Sequence, residues 1–149
     1  MRLNEQKGIE VLLYIIQNNE GSLSFSEISR ICYEADKHHL SEYGRFLYWE
    51  IYYISDYGPA PSFLSSLIKD KENEVVKEVN GKVLALRSAD ILQLSKSDIK
   101  CLKIAFERKN SENDENYGFD LGEIIPFEFF VENSKYPEAL REYIFNHEI

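Results

Sequence analysis

The chain has 149 residues, 44% of them hydrophobic and 29% charged, which is ordinary globular usage and excludes disorder, collagen and coiled coil. That length predicts one domain, residues 1–149, with a core large enough to stand without staples. Lys and Arg number 17 against 26 Asp and Glu, a net charge of −9, which argues against a nucleic-acid binder working by phosphate neutralisation. The charge is uneven. Residues 1–106 hold 13 basic and 15 acidic side chains, a balance of −2, whereas residues 107–149 hold 4 and 11, a balance of −7.

Asn4 is placed to cap a first helix ending near Asn18. Ile9, Leu12, Leu13 and Ile16 share one face, and Val11, Tyr14 and Ile15 widen the stripe nearly all round, so this helix should lie centrally. Ser24 and Glu27 form a capping box for a second helix, along which Ile28, Cys32, Ala35, His39 and Tyr43 recur at helical spacing until Gly44 stops it. Residues 46–54 are aromatic and β-branched and read as a strand, with Leu47, Trp49, Ile51 and Tyr53 on one face and Glu50 on the other. The prolines of Tyr57-Gly58-Pro59-Ala60-Pro61 read as a turn that no strand continues through, with Pro61 opening a short helix to Lys69.

Residues 74–79 and 82–87 flank Asn80-Gly81, a hairpin signal in which both turn residues take positive φ, with Val75, Val79, Val83, Leu84 and Leu86 as inward candidates. Ser95 or Ser97 then caps a helix carrying Leu102, Ala105 and Phe106. Asn110 to Tyr117 reads as an acidic loop, residues 120–125 as a short helix ended by Pro126, and Pro137 as the start of a last helix with Leu140, Tyr143 and Ile144 on one side. The fold class that follows is α+β: a mostly helical single domain with a small antiparallel sheet holding residues 46–54 and the hairpin.

The densest polar cluster is Glu34, Asp36, His38, His39 and Glu42. Asp36 with His39, and His38 with Glu42, have the spacing at which two helical side chains converge on a metal, but the pairs point to different faces. His39 lies in the middle of the apolar stripe, which favours a hydrogen-bonded inner histidine; a hydrolase metal site on Asp36 and His39 is the rival reading. Cys32 and Cys101 read as free buried thiols. No phosphate-binding glycine loop and no serine-nucleophile elbow occurs, so neither a cofactor nor catalytic residues are expected. Nothing at Met1-Arg2-Leu3 resembles a signal peptide and no apolar run reaches membrane length, so a soluble cytoplasmic protein is expected. Aromatic residues are densest in residues 43–57, and Tyr57, beside Gly58-Pro59, is the one most readily placed at a surface.

Residues 31–68 carry a recognisable order of motifs. Tyr33-Glu34-Ala35-Asp36-Lys37-His38-His39-Leu40-Ser41-Glu42-Tyr43-Gly44-Arg45 is followed, one apolar segment later, by Tyr57-Gly58-Pro59-Ala60-Pro61-Ser62 and an amphipathic helix. This arrangement resembles the Panacea (SocA-like) family of antitoxins, with His39, Tyr43 and Gly44 matching its histidine-leucine and Tyr-Gly positions and Tyr57, Gly58 and Pro59 its Tyr-Gly-Pro. Leu94-Ser95-Lys96-Ser97-Asp98-Ile99 looks like the family's closing helical part. Phe46-Leu47-Tyr48-Trp49 departs from it, because the family carries a small polar turn after Gly44-Arg45. The resemblance implies a non-enzymatic bacterial or prophage protein that neutralises a cognate protein toxin by direct binding, with His39, Tyr43, Gly44, Arg45, Tyr57, Gly58, Pro59 and Pro61 as interaction or motif residues. Neither a nucleic-acid nor a membrane partner is expected, and the sequence leaves the oligomeric state open. A phage or mobile-element counter-defence protein, or an interaction adaptor working through an acidic surface, is the alternative.

Overall fold

Asn4 performs the predicted cap: its side-chain oxygen accepts from the Lys7 amide at 3.1 Å, and helix α1 runs Glu5–Gln17 behind it. In the computed structural model, which describes residues 1–111 and 117–148, there follow β1 (Ser22–Leu23), α2 (Phe25–Tyr43), β2 (Tyr52–Ser55), β3 (Gly58–Pro61) and α3 (Ser62–Lys69). Next come β4 (Val76–Val79), β5 (Lys82–Ala85), a 3₁₀ turn (Ile91–Gln93), α4 (Lys96–Phe106), α5 (Phe127–Glu132) and α6 (Pro137–Glu148). The α+β class stands: six helices and short antiparallel strands occur among the described residues. Every residue from Glu10 to Ile16 is buried, so α1 forms the centre that its nearly all-round apolar pattern requires. Side chains of α2, α4, both sheets, α5 and α6 complete one continuous hydrophobic cluster with it.

The capping box of α2 is closed at both bonds, Glu27 amide to Ser24 hydroxyl at 3.2 Å and Ser24 amide to Glu27 carboxylate at 3.0 Å. Its far end is Gly44, at φ +80°. A Cβ there would come within 2.7 Å of the Tyr143 ring, so the glycine serves both the helix stop and the docking of α6. Ser95 caps α4 in the same reciprocal way with Asp98. Cys32 and Cys101 are free and buried.

The strands differ from expectation in four respects. There are two sheets rather than one: β1-β5-β4 and β2-β3. The hairpin turns at Asn80 (φ 52°) and Gly81 (φ 79°) as predicted, but only one face of it is buried. Val76 and Val83 point inward, while Val79 and Leu86 are exposed, because a period of two cannot bury residues of both parities.

Second, residues 46–51 are not strand. From Phe46 to Tyr48 main-chain groups are already taken by partners outside any ladder. Leu47 donates to Asp36 at 2.7 Å, and the Phe46 and Leu47 carbonyls accept from the Arg45 guanidinium at 2.9 and 3.3 Å. The Tyr48 carbonyl accepts from the Asn4 amide at 2.9 Å. Trp49 sits at φ +62°, a left-handed conformation that no strand tolerates.

Third, the segment through Pro59 and Pro61 is a strand. Ser55 pairs with Gly58 and Tyr52 with Pro61. The Ser62 amide donates to the Ile51 carbonyl at 2.8 Å, so residues 58, 60 and 62 face β2 and the two prolines face away from it. Their missing N–H groups are therefore not wanted by the ladder.

Fourth, residues 120–125 form no helix. They turn at Gly122 (φ +87°) and run back along β2, where Ile124 bridges Tyr53 and the Ile125 amide donates to Tyr52 at 2.8 Å. Pro126 does not end a helix but precedes one, α5. The expected loop over Asn110–Tyr117 falls largely on residues 112–116, outside the described residues.

Candidate functional site

The motif residues of 31–68 divide into an inward set and an outward set. His39 is fully enclosed. Its Nδ1 lies 2.8 Å from the Arg45 carbonyl, which only accepts, so Nδ1 carries the proton and Nε2 accepts from the Ser97 hydroxyl at 2.8 Å. Burial pushes the imidazole down to about 4, so it is neutral at physiological pH. The Arg45 guanidinium turns back over the chain and meets Asp98 Oδ1 at 3.1 Å and the Ser95 hydroxyl at 3.2 Å. Lys7 reaches Asp98 Oδ2 at 2.8 Å. Asp98 is fully buried yet held below the usual carboxylate range: burial raises it, and the Lys7 ammonium, the Ser95 amide and Arg45 together outweigh that.

One turn earlier on α2, Asp36 accepts from the Tyr52 hydroxyl at 2.5 Å as well as from the Leu47 amide. With no cation beside it, burial drives its carboxyl up to about 7. Asp36 and His39 thus serve different partners and do not converge, and no group of three or more potential metal ligands occurs among the described residues. The Cys32 thiol, equally enclosed, is pushed well above its ordinary value by burial and the nearby carboxyls, which removes its thiolate at neutral pH.

Glu50, read from the sequence as lying on the strand face opposite Leu47, Trp49, Ile51 and Tyr53, is buried. Its carboxylate accepts from the Tyr48 hydroxyl at 2.6 Å, the Ile51 and Phe63 amides at 2.9 Å each, and the Leu64 amide at 3.4 Å. Phe63 and Leu64 open α3, whose preceding residue, Pro61, has no capping side chain. Glu50 therefore caps that helix from a distance, and its negative charge lies at the positive helix end. Burial still raises its carboxyl, against the pull of the hydroxyl and amides. Glu10 is a similar case on α1, held by both guanidinium nitrogens of Arg87 at 2.9 Å and by the Asp90 amide at 2.8 Å. Sequence reasoning missed Glu10, Glu50 and Asp98 as buried anchors. The signal for the first two was a lone acid inside an apolar run, where a charge needs a built partner.

Tyr57 forms the outward set with Tyr43. Tyr57 is 70% exposed at the tip of the β2–β3 hairpin, where Gly58 takes φ +99°. Tyr43 is partly exposed, its ring 4.8 Å from that of His39. Pro59 and Pro61 are buried against the body of the fold, and α2 packs along β3. Of the eight residues singled out, Tyr57 offers the most side-chain surface, with Tyr43 and Arg45 part-exposed; Gly44 and Gly58 have no side chain to offer, and His39, Pro59 and Pro61 build the support.

Comparison of the chain with protein-family models, with curated proteins and with solved structures returned no match. No helix among the described residues is long and apolar enough to cross a membrane.

Proposed function

We propose that this chain is an antitoxin that neutralises a cognate protein toxin by direct, non-enzymatic masking. The observation that carries the reading is the build of residues 31–68. Asp36, His39 and Glu50 lock helix, irregular segment and hairpin into one bonded frame, and that frame holds an aromatic residue, Tyr57, out in solvent. Buried polar groups of this kind fix a surface in place, and an exposed tyrosine on a rigid hairpin is an anchor that slows dissociation. The surplus of acidic side chains would steer a basic toxin and raise the association rate.

Co-expression tests the proposal: the chain is expected to restore growth to cells producing the toxin encoded in the adjacent reading frame. Failure to restore growth sinks it. A second reading, a counter-defence protein or adaptor acting through acidic mimicry, is favoured by the charge distribution, −7 of the −9 lying in residues 107–149. Reversing Glu112, Asp114 and Glu115, which lie outside the described residues, separates the two. Loss of all binding favours mimicry, whereas a lower on-rate alone favours steered capture of a toxin.

A further inference from the structure

A cleft of about 330 Å³ opens beside β2, and its lining includes Met1, Phe46, Trp49, Ile51, Ile124 and Phe127. Phe46 and Trp49 stack at 5.4 Å between centroids, and Phe127 meets both edge-on at 5.5 Å. This aromatic wall is set by Trp49, a bulky residue at φ +62°, and such strain persists only where the surroundings over-determine it. Two further lining residues, Ile51 and Ile124, are 49% and 63% exposed. Ile51 lies just before β2, and Ile124 bridges Tyr53 within it.

The segment that brings Ile124, Ile125, Pro126, Phe127 and Phe130 to the cleft is acidic in sequence. Residues 117–132 contain Asp120, Glu123, Glu128 and Glu132 and no Lys or Arg. Glu128 and Glu132 share Arg141, at 2.8 and 3.9 Å. Asp120 and Glu123 form no ion pair among the described residues. The cations next to lining residues in the chain are Arg2 with the amino group of Met1, and Arg45, which is committed to Asp98.

We infer that this cleft receives an apolar side chain from a Lys/Arg-flanked segment of the protein partner; the inference rests on the partner-masking function proposed above and names its surface. The charge selects the occupant. A second copy would bring the same acidic segment, which disfavours it as it disfavours nucleic acid or an anionic membrane. An apolar anchor with a basic fringe suits both the aromatic wall and the acidic segment that carries Ile124 and Phe127.

Trp49 is the sole tryptophan, so its emission reports on the cleft directly. Short tryptophan-free peptides serve as probes: one with Leu, Ile and Phe between Lys and Arg flanks, one with Glu flanks, and one with Lys and Arg flanks around Ser. The first is expected to shift Trp49 emission to the blue and saturate, with affinity falling as salt rises. Ile124→Asp and Ile51→Asp, both at solvent-reaching positions that leave the core intact, are expected to weaken it at least about tenfold, the loss of one buried anchor. The double reversal Asp120→Lys with Glu123→Lys should weaken the basic peptide and admit the acidic one. No emission change with the first peptide, or an equal change with either control, overturns the inference. So does a dimer seen in sedimentation that itself shields Trp49. Toxin neutralisation that survives Ile124→Asp, with Trp49 emission unmoved by toxin, rejects the cleft and keeps the antitoxin. Peptide binding without neutralisation rejects the antitoxin and keeps the cleft.

Discussion

Asp36 and His39 lie one turn apart on α2, and Asp98 faces them from α4; all three are enclosed, yet burial leaves them in different states. Asp36, with a hydroxyl and an amide as partners, is pushed up to about 7. His39, with a carbonyl and a hydroxyl, is pushed down to about 4. Both are thereby driven toward neutrality. Asp98 alone has two cations against it, Lys7 and Arg45, and alone keeps its carboxyl depressed. Here hydrogen bonds from neutral groups leave Asp36 raised, whereas Asp98, with two cations as well as an amide, stays depressed.

The largest effect is expected from removing the ionised member. Asp98→Ala deletes the anion facing Lys7 and Arg45 together with half of the α4 capping box, and should cost about 3 kcal/mol in urea denaturation. Because Lys7 and Arg45 both reach solvent in part, the value sits at the low end for a broken buried pair. A loss no greater than that of a cap alone, about 1 kcal/mol, would show that the ion pairs contribute nothing.

The neutral pair should act on the pH profile in opposite directions. Between about pH 4 and 6.5 an unfolded histidine takes up a proton that buried His39 refuses, so His39 makes stability rise with pH across that window. Folded Asp36 keeps a proton that an unfolded aspartate releases, so Asp36 makes stability fall as pH rises from about 4 to 7. Asp36→Asn keeps an acceptor for the Leu47 amide and removes the falling component. The variant-minus-native stability difference should therefore grow with pH over this window, by at most about 1.4 kcal/mol per pH unit. A difference that stays flat with pH contradicts the protonated state assigned to Asp36. His39→Asn retains a donor near the Nδ1 position and should give the opposite tilt, measured in the same titration.

The smallest expected effect sharpens the histidine side. Ser97→Ala removes the hydroxyl that donates to Nε2, leaving that nitrogen to face Asp98 Oδ1 at 3.5 Å. The His39 imidazole should then titrate higher, read from its ring carbon shifts in NMR, with stability lowered by about 1 kcal/mol. An unmoved titration would mean that Ser97 does not hold the tautomer.

Much of this was legible in the residues. The caps at Asn4, Ser24 and Ser95, the stop at Gly44, the Asn80-Gly81 turn and the central α1 all follow from local chemistry that tertiary contacts did not override. His39 as an inner hydrogen-bonded histidine followed from its place in the apolar stripe. Residues 46–51 defeated the reading because their strand-like composition was honest about burial and silent about hydrogen bonding. Asp36, Arg45 and Asn4, distant or unrelated in pattern, claim the main chain there. Residues 120–125 failed for a similar reason, since their partner, β2, lies some seventy residues away in the chain. Glu50 needed the start of α3, and Asp98 its cations Lys7 and Arg45, to be located in space before their roles could be seen. The acidic balance of the last third was visible at once, but that the same segment supplies the apolar lining of a cleft was not.

Pro59 and Pro61 have one more consequence. Their spacing of two is the strand's own period, and it makes pairing with β2 a one-sided affair. Slide β3 by a single residue and both ring nitrogens turn toward β2, where each would forfeit a ladder hydrogen bond worth about 1 kcal/mol. The prolines therefore act as a ratchet against slippage, and the tyrosine at the hairpin tip is held to one height above the body of the protein.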